Sequence, residues 1–164
     1  MALAPGEVAP DFKLLATPDQ SLSLSELDGP VVLIFYPADW SPVCGDELTM
    51  FEAASKLFHD RGAQLLGVSV DGVWCHLAFA KDRHLHFPLL ADFEPKGEVS
   101  RLYGAYNRTA GRSLRAIYVI DAQGIIRWSY LSPDGVNPGA NGIFAALDAL
   151  TPDQRGSKRS GAKT

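Results

Sequence analysis

The sequence predicts an α/β domain with a central mixed β-sheet flanked by helices and preceded by an N-terminal extension. Three observations predict it. Residues 31–36, Val-Val-Leu-Ile-Phe-Tyr, are apolar at every position, as in a strand buried on both faces. Helical and strand patterns alternate after that run. Further on, two apolar runs at 115–120 and 125–130 are joined by Asp121-Ala122-Gln123-Gly124, a hairpin connection.

The elements follow in order. Pro5, Gly6, Pro10, Pro18 and Gly29 punctuate the first 29 residues, and Leu22, Leu24 and Leu27 are spaced to pack a short edge element. Pro37 ends the first strong strand. After the loop Ala38-Asp39-Trp40, Ser41 is a helix N-cap with Pro42 at the first helical position. Leu48, Phe51, Ala54 and Phe58 then recur at helical spacing, up to a stop at Gly62. Residues 64–70 read as a strand. Residues 73–84 read as a helix with Trp74, Leu77, Ala78 and Lys81 on one face. A short strand at 87–91 and a short helix at 95–103, stopped by Gly104, come before the hairpin. A last helix at 138–150 aligns Ile143, Leu147 and Leu150. A parallel pair plus an antiparallel hairpin, with helices on both faces, matches a thioredoxin-like mixed sheet with right-handed crossovers.

The 164 residues suit one domain, expected over 1–150. Arg155, Lys158, Arg159 and Lys163 sit among Gly and Ser in 151–164, which reads as a flexible basic tail. Hydrophobic residues at 46% and charged residues at 21% are ordinary for a globular chain. A net charge of −4 gives no reason to expect nucleic acid or a membrane surface as partner. No apolar run approaches the ~18 residues that span a bilayer. The N-terminus lacks a basic n-region and a long apolar stretch, so a cytoplasmic location is expected. Two cysteines form no disulfide framework, and in that compartment a sparse cysteine is chemical or incidental.

Cys44 is the candidate for chemistry. Thiolate, not thiol, is the nucleophile, and an ordinary cysteine is mostly protonated at neutral pH. With Ser41 as N-cap, Cys44 is the third helical residue, facing unpaired N–H groups and the positive end of the helix dipole. The Ser41 hydroxyl, one turn earlier, has a donor hydrogen and two lone pairs. Pro37 shields the site and fixes the loop. Glu47, three residues on, can orient a cation. Arg115 opens the apolar strand that the fold places near the first one, so its planar fork can point at the helix N-terminus. Taken singly, each residue has an ordinary role: a small packed cysteine, a cap, a strand stop, a strand-end charge.

Taken together, Pro37-Ala38-Asp39-Trp40-Ser41-Pro42-Val43-Cys44 resembles the P-x-x-x-[T/S]-x-x-C signature of the peroxiredoxins. Ala9-Pro10-Asp11-Phe12 is similar to that family's A-P-D-F, and Phe87-Pro88-Leu89-Leu90-Ala91-Asp92 to its F-P-L-L-[S/A]-D. Val99-Ser100-Arg101-Leu102-Tyr103-Gly104 is similar to V-x-x-x-Y-G, and Arg115-Ala116-Ile117-Tyr118-Val119-Ile120-Asp121 to R-x-x-F-[V/I]-I-D. The resemblance spans roughly residues 5 to 150, with features shared with the E-type and Q-type (bacterioferritin comigratory protein-like) groups. It implies a thiol-specific peroxidase that reduces hydrogen peroxide and organic hydroperoxides. Cys44 would be the peroxidatic cysteine, Pro37, Ser41 and Arg115 would complete the peroxide site, and Glu47 would support Arg115. It implies no cofactor and no metal, a thioredoxin-like or small-thiol reductant, and allows a homodimer. Ser41 departs from the more usual threonine and drops the methyl that restrains the rotamer.

A sulfenic acid on Cys44 needs a second thiol to become a disulfide. Cys75, 31 positions on, is the only other cysteine, and some Q-type members carry a resolving cysteine in this helix. Contact from a folded helix is not expected, because bridged Cα atoms come within ~7 Å. The first turn would unwind after oxidation. Otherwise Cys75 packs beside Trp74 and an external thiol resolves Cys44, as in a one-cysteine enzyme. His76, His84 and His86 lack the paired spacing of zinc ligands and read as solvated helix-end residues. Glu47 stands where a C-x-x-C reductase would have its second cysteine, which removes that activity. The glutamine and tryptophan motifs of glutathione peroxidase are missing. A non-enzymatic sensor that uses Cys44 as a switch is the rival from another class.

Overall fold

The computed structural model describes residues 1–156. A seven-stranded mixed sheet forms the centre. Its strands are β1 (Lys13–Thr17), β2 (Gln20–Ser23), β3 (Val31–Phe35), β4 (Gln64–Ser69), β5 (Leu89–Ala91), β8 (Arg115–Ile120) and β9 (Ile126–Ser132), in the spatial order β2-β1-β5-β4-β3-β8-β9. A separate small ladder pairs β6 (Tyr106–Asn107) with β7 (Arg112–Ser113). The helices are α1 (Pro42–Ala53), α2 (Ser55–Asp60), α3 (Val73–Arg83), α4 (Glu98–Leu102), α5 (Asn141–Asp148) and α6 (Pro152–Arg155).

β3 is buried along its whole length, as its unbroken apolar run predicts. It pairs parallel with β4 and antiparallel with β8. Alternation then splits its side chains between two cores. Val32 and Ile34 join Cys44, Leu48 and Phe51 of α1, Phe79 of α3, and Ile143 and Leu147 of α5. Val31, Leu33 and Phe35 join Phe12, Tyr103, Tyr118 and Ile126 on the other face. Apolar area on both faces supplies the main favourable term in folding.

The register positions the site. Phe35 pairs with Ala116, so Arg115 lies one step beyond the carboxyl end of β3, where the chain turns into α1. The β4–α3 connection leaves the same end of the sheet, because β3 and β4 run parallel. Residues from both loops thus converge there, the general location of sites in open α/β sheets.

Trp74, Leu77, Ala78 and Lys81 do share one face of α3, the solvent side, with Trp74 73% exposed, and the buried face carries His76 and Phe79. The structure differs from the sequence reading in three places. The helix read from Ser41 to Gly62 is broken at Ala54, whose φ −93 and ψ 7 separate α1 from α2. The first 29 residues hold a true hairpin, β1–β2, rather than one edge element. The ordered chain continues past Thr151. Thr151 and Gln154 form a capping box on α6, and Arg155 donates to the carbonyls of Asp148 and Leu150. Lys158, Arg159 and Lys163 of the expected tail lie outside the described residues.

Candidate active site

The first turn of α1 forms as its sequence dictates. Ser41 takes an extended N-cap conformation, Pro42 occupies the first helical position, and Cys44 is the third helical residue. The Ser41 Oγ accepts from the Cys44 backbone N–H at 3.5 Å, and the Ser41 carbonyl accepts from Gly45 at 2.8 Å. Cys44 is fully buried and free.

Arg115 reaches this sulfur across the sheet. Its Nη2 donates to Cys44 Sγ at 3.5 Å, and its Nη1 donates to Glu47 Oε1 at 2.6 Å. Nε and Nη2 both donate to the Asp134 carbonyl, at 3.1 and 2.7 Å. A buried guanidinium held by a carboxylate and a backbone carbonyl cannot swing away, so its fork stays aimed at the sulfur. Burial alone would lower the Arg115 pKa, but Glu47 and the Cys44 sulfur outweigh it and raise the value, which keeps the group charged. Glu47 bears the opposite strain. Burial pushes its carboxyl up to about 7 against the pull of Arg115, and its Oε2 has no hydrogen-bond partner. Pro37 is buried, in the loop that runs from β3 to α1. Of the residues singled out in the sequence, Cys44, Ser41, Glu47 and Arg115 are therefore brought together, with Pro37 in the loop that leads to them.

Cys75 belongs to a neighbouring group. Its thiol and the carboxylates of Asp39 and Asp71 have ligand atoms within 4.8 Å of one another. Burial, then Asp39 and Asp71, push the Cys75 thiol up to about 11. Cys75 also lines a cavity of about 340 Å³ with Leu14, Leu15, Trp74 and Phe93. As a metal site the trio is already engaged. Asp39 is held by Tyr36 and His76, and Asp71 accepts from Ser69 Oγ and the Asp39 N–H. His84 and His86 are exposed, as expected. His76 corrects the reading of solvated histidines. It is 1% exposed, because its ring is the inward-facing group of the first turn of α3.

Sequence reasoning missed Asp134, His76 and Arg83. Asp134 acts through its carbonyl, which no residue type announces. His76 sits three residues before Phe79, a helical spacing that marks a shared inner face. Arg83 of α3 lies over Gly45, where an added Cβ would stand 2.7 Å from its Nη2, so a second cation borders the residue after Cys44.

Chemically, the cluster holds a sulfur between a fixed cation and a capped helix N-terminus, with a hydroxyl one turn away. That suits a thiolate and an oxygen in contact with it. The AhpC/TSA family matches residues 5–129. Peroxiredoxin 2 of Thermoplasma acidophilum is 34% identical over 152 residues, covering 88% of this chain and 75% of its own. The thioredoxin peroxidase of Echinococcus granulosus is 35% identical over 161 residues, covering 92% and 82%. Among solved structures, peroxidoxin BcpB from Mycobacterium tuberculosis superposes with a TM-score of 0.81 at 30% identity, over 90% of this chain and 97% of that one.

Proposed function

The chain belongs to the AhpC/TSA family of thiol-dependent peroxidases, and from that premise we propose that Cys44 is its peroxidatic residue, served by Ser41, Arg115, Glu47 and Pro37. The observation that carries the reading is the buried Arg115 guanidinium, which bonds Cys44 Sγ and Glu47 at once.

The Cys44 thiolate attacks the terminal peroxide oxygen. A sulfur–oxygen bond forms, the O–O bond breaks, and the leaving oxygen takes a proton to depart as water or alcohol. Sulfur loses two electrons and becomes a sulfenic acid. Arg115 and the helix N-terminus stabilise the charge spread over the two oxygens as they part. Ser41 donates its hydroxyl hydrogen to the same oxygens.

Cys75 then resolves the sulfenic acid to a disulfide, which a thioredoxin-type donor reduces. Its closeness to Asp39, in the loop ahead of Cys44, supports this step. A specific observation favours a second reading. A thiol held up to about 11 is a poor nucleophile while folded, and an external thiol would resolve Cys44 instead. The likeness to BcpB supports a subgroup near the E and Q types. No helix among the described residues is long and apolar enough to cross a membrane, and a cytoplasmic location remains part of the reading. So does a homodimer, which the outer edge of β9, covered by the N-terminal segment at Ile126 but with Tyr130 and Leu131 exposed, supports.

The test is hydroperoxide turnover with Cys44→Ser and Cys75→Ser, using thioredoxin-type and small-thiol donors. Cys44→Ser abolishes turnover, and activity surviving it overturns the main assignment. Cys75→Ser loses turnover with the thioredoxin-type donor. A Cys75→Ser enzyme that keeps full turnover with both donors selects the external-thiol reading.

A further inference from the structure

Tyr36, Asp39 and His76 form a buried polar group outside the hydrogen bonds that join Cys44, Ser41, Glu47 and Arg115. Asp39 is 6% exposed and His76 1%. The Asp39 carboxylate accepts from the Tyr36 hydroxyl at 2.6 Å and faces His76 Nδ1 at 2.7 Å. His76 Nε2 faces the Leu90 carbonyl at 3.1 Å. A carbonyl offers only lone pairs, so Nε2 carries a hydrogen, and one proton lies between Nδ1 and the carboxylate. Each buried atom of the group is thereby satisfied, which makes the group strong rather than costly.

Its placement gives it a consequence. Asp39 lies in the loop 37–41 that leads into Cys44, and His76 directly follows Cys75 in the first turn of α3. The Asp39 backbone N–H donates to Asp71 in the β4–α3 loop at 2.9 Å, a second tie between the same two segments. Next to these ties the backbone is strained. Trp40 sits at φ 70, a conformation that bulky side chains rarely adopt, and its ring packs edge-on against Phe79 of α3 at 5.3 Å.

We propose that the Asp39–His76 pair is a latch that clamps the Cys44 loop onto α3, and that its opening sets how fast oxidised Cys44 reaches Cys75. The proposal rests on the reading of Cys75 as the resolving thiol. In that step the Cys75 sulfur attacks the sulfenic sulfur of Cys44. The S–S bond forms, the S–O bond breaks, and hydroxide leaves with the thiol proton as water. Closed, the latch keeps Cys44 under Arg115 and beside the Ser41 cap, the position for attack on peroxide. Open, it frees the loop and the first turn of α1 to move. Asp39 and His76 are thus positioning residues with opposite effects on the two half-reactions.

Hydrogen–deuterium exchange of the reduced full-length chain tests the latch itself. In Asp39→Asn, which keeps the side-chain shape, and in His76→Gln, amides of residues 37–45 exchange on the order of tenfold faster, the worth of a charge-assisted hydrogen bond. Amides of β3 and β8 stay as protected as in the wild type. Unchanged exchange at 37–45, or equal acceleration across the sheet, overturns the proposal. Single-turnover mixing with peroxide supplies the second readout. Oxidation of Cys44 slows several-fold, disulfide formation speeds up, and the fraction trapped as sulfinic acid in excess peroxide falls. If both steps slow together, the pair is only structural and the latch is wrong. If exchange accelerates but no Cys44–Cys75 disulfide forms in any of the proteins, the clamp on the Cys44 loop stands and the resolving role of Cys75 falls.

Discussion

Arg115 spends four hydrogen bonds on three partners: the Cys44 sulfur, Glu47 and the Asp134 carbonyl. A lysine carries one compact ammonium and cannot serve all three. In Arg115→Lys the second-order rate with hydroperoxide, read by stopped-flow, falls on the order of 100-fold. A drop of less than about threefold removes Arg115 from the chemistry. Glu47 makes a separate prediction. Burial raises its folded-state value to about 7, above the 4.5 of an ordinary glutamate. Over that window the native state keeps a proton that the unfolded chain has lost, so stability declines as pH rises through it. Glu47→Gln lacks the group. Between pH 5 and pH 8 the wild type loses on the order of 2 kcal/mol more than the variant in chemical denaturation. Parallel profiles would mean that Glu47 is ionised throughout.

The first turn of α1 is the element on which the site depends, and Ser41 closes it. Removing the hydroxyl leaves the Cys44 N–H without its cap, at a cost of about 1 kcal/mol. It also removes a donor to peroxide. Ser41→Val therefore loses both stability and rate, whereas Ser41→Thr keeps the hydroxyl and retains both. A Ser41→Val enzyme as fast as Ser41→Thr would limit Ser41 to a packing role. This turn was legible in the sequence because caps, N1 proline and the spacing to Cys44 are local signals. Arg115 was legible because an apolar strand of six residues has an unambiguous end. Other elements were not. The break at Ala54 hides because Leu48, Phe51 and Phe58 keep helical spacing through it and pack into one core. β6 and β7 are two residues each, too short for any period to show. His76 was misread because its partners, Asp39 and the Leu90 carbonyl, lie 37 and 14 positions away, and only the fold unites them.

At the scale of the whole molecule, the two cores share one sheet, and α1 seals one of them with Cys44, Leu48 and Phe51. That makes oxidation a stability event. A disulfide across the 31 positions from Cys44 to Cys75 restricts the unfolded chain and would ordinarily stabilise the fold by about 3–4 kcal/mol. Here it forms only if the start of α1 leaves its seat. Departure that reaches Leu48 exposes a fully buried side chain, worth about 2 kcal/mol. Departure that separates Glu47 from Arg115 leaves the buried guanidinium without its carboxylate, but returns to solvent a carboxyl that burial had pushed up to about 7, so the two effects largely offset. The Ser41 cap and the Asp39–His76 contact are lost as well. These terms exceed the gain from loop closure, so the disulfide form is the less stable one. Its Tm falls several degrees below that of the reduced protein, at roughly 2–4 °C per kcal/mol for a chain of this size. Cys75→Ser treated with one equivalent of peroxide keeps the Tm of its own reduced state, because Cys44 has no reason to leave. An oxidised wild type that melts higher than the reduced form would mean that Cys44 and Cys75 join without unwinding α1.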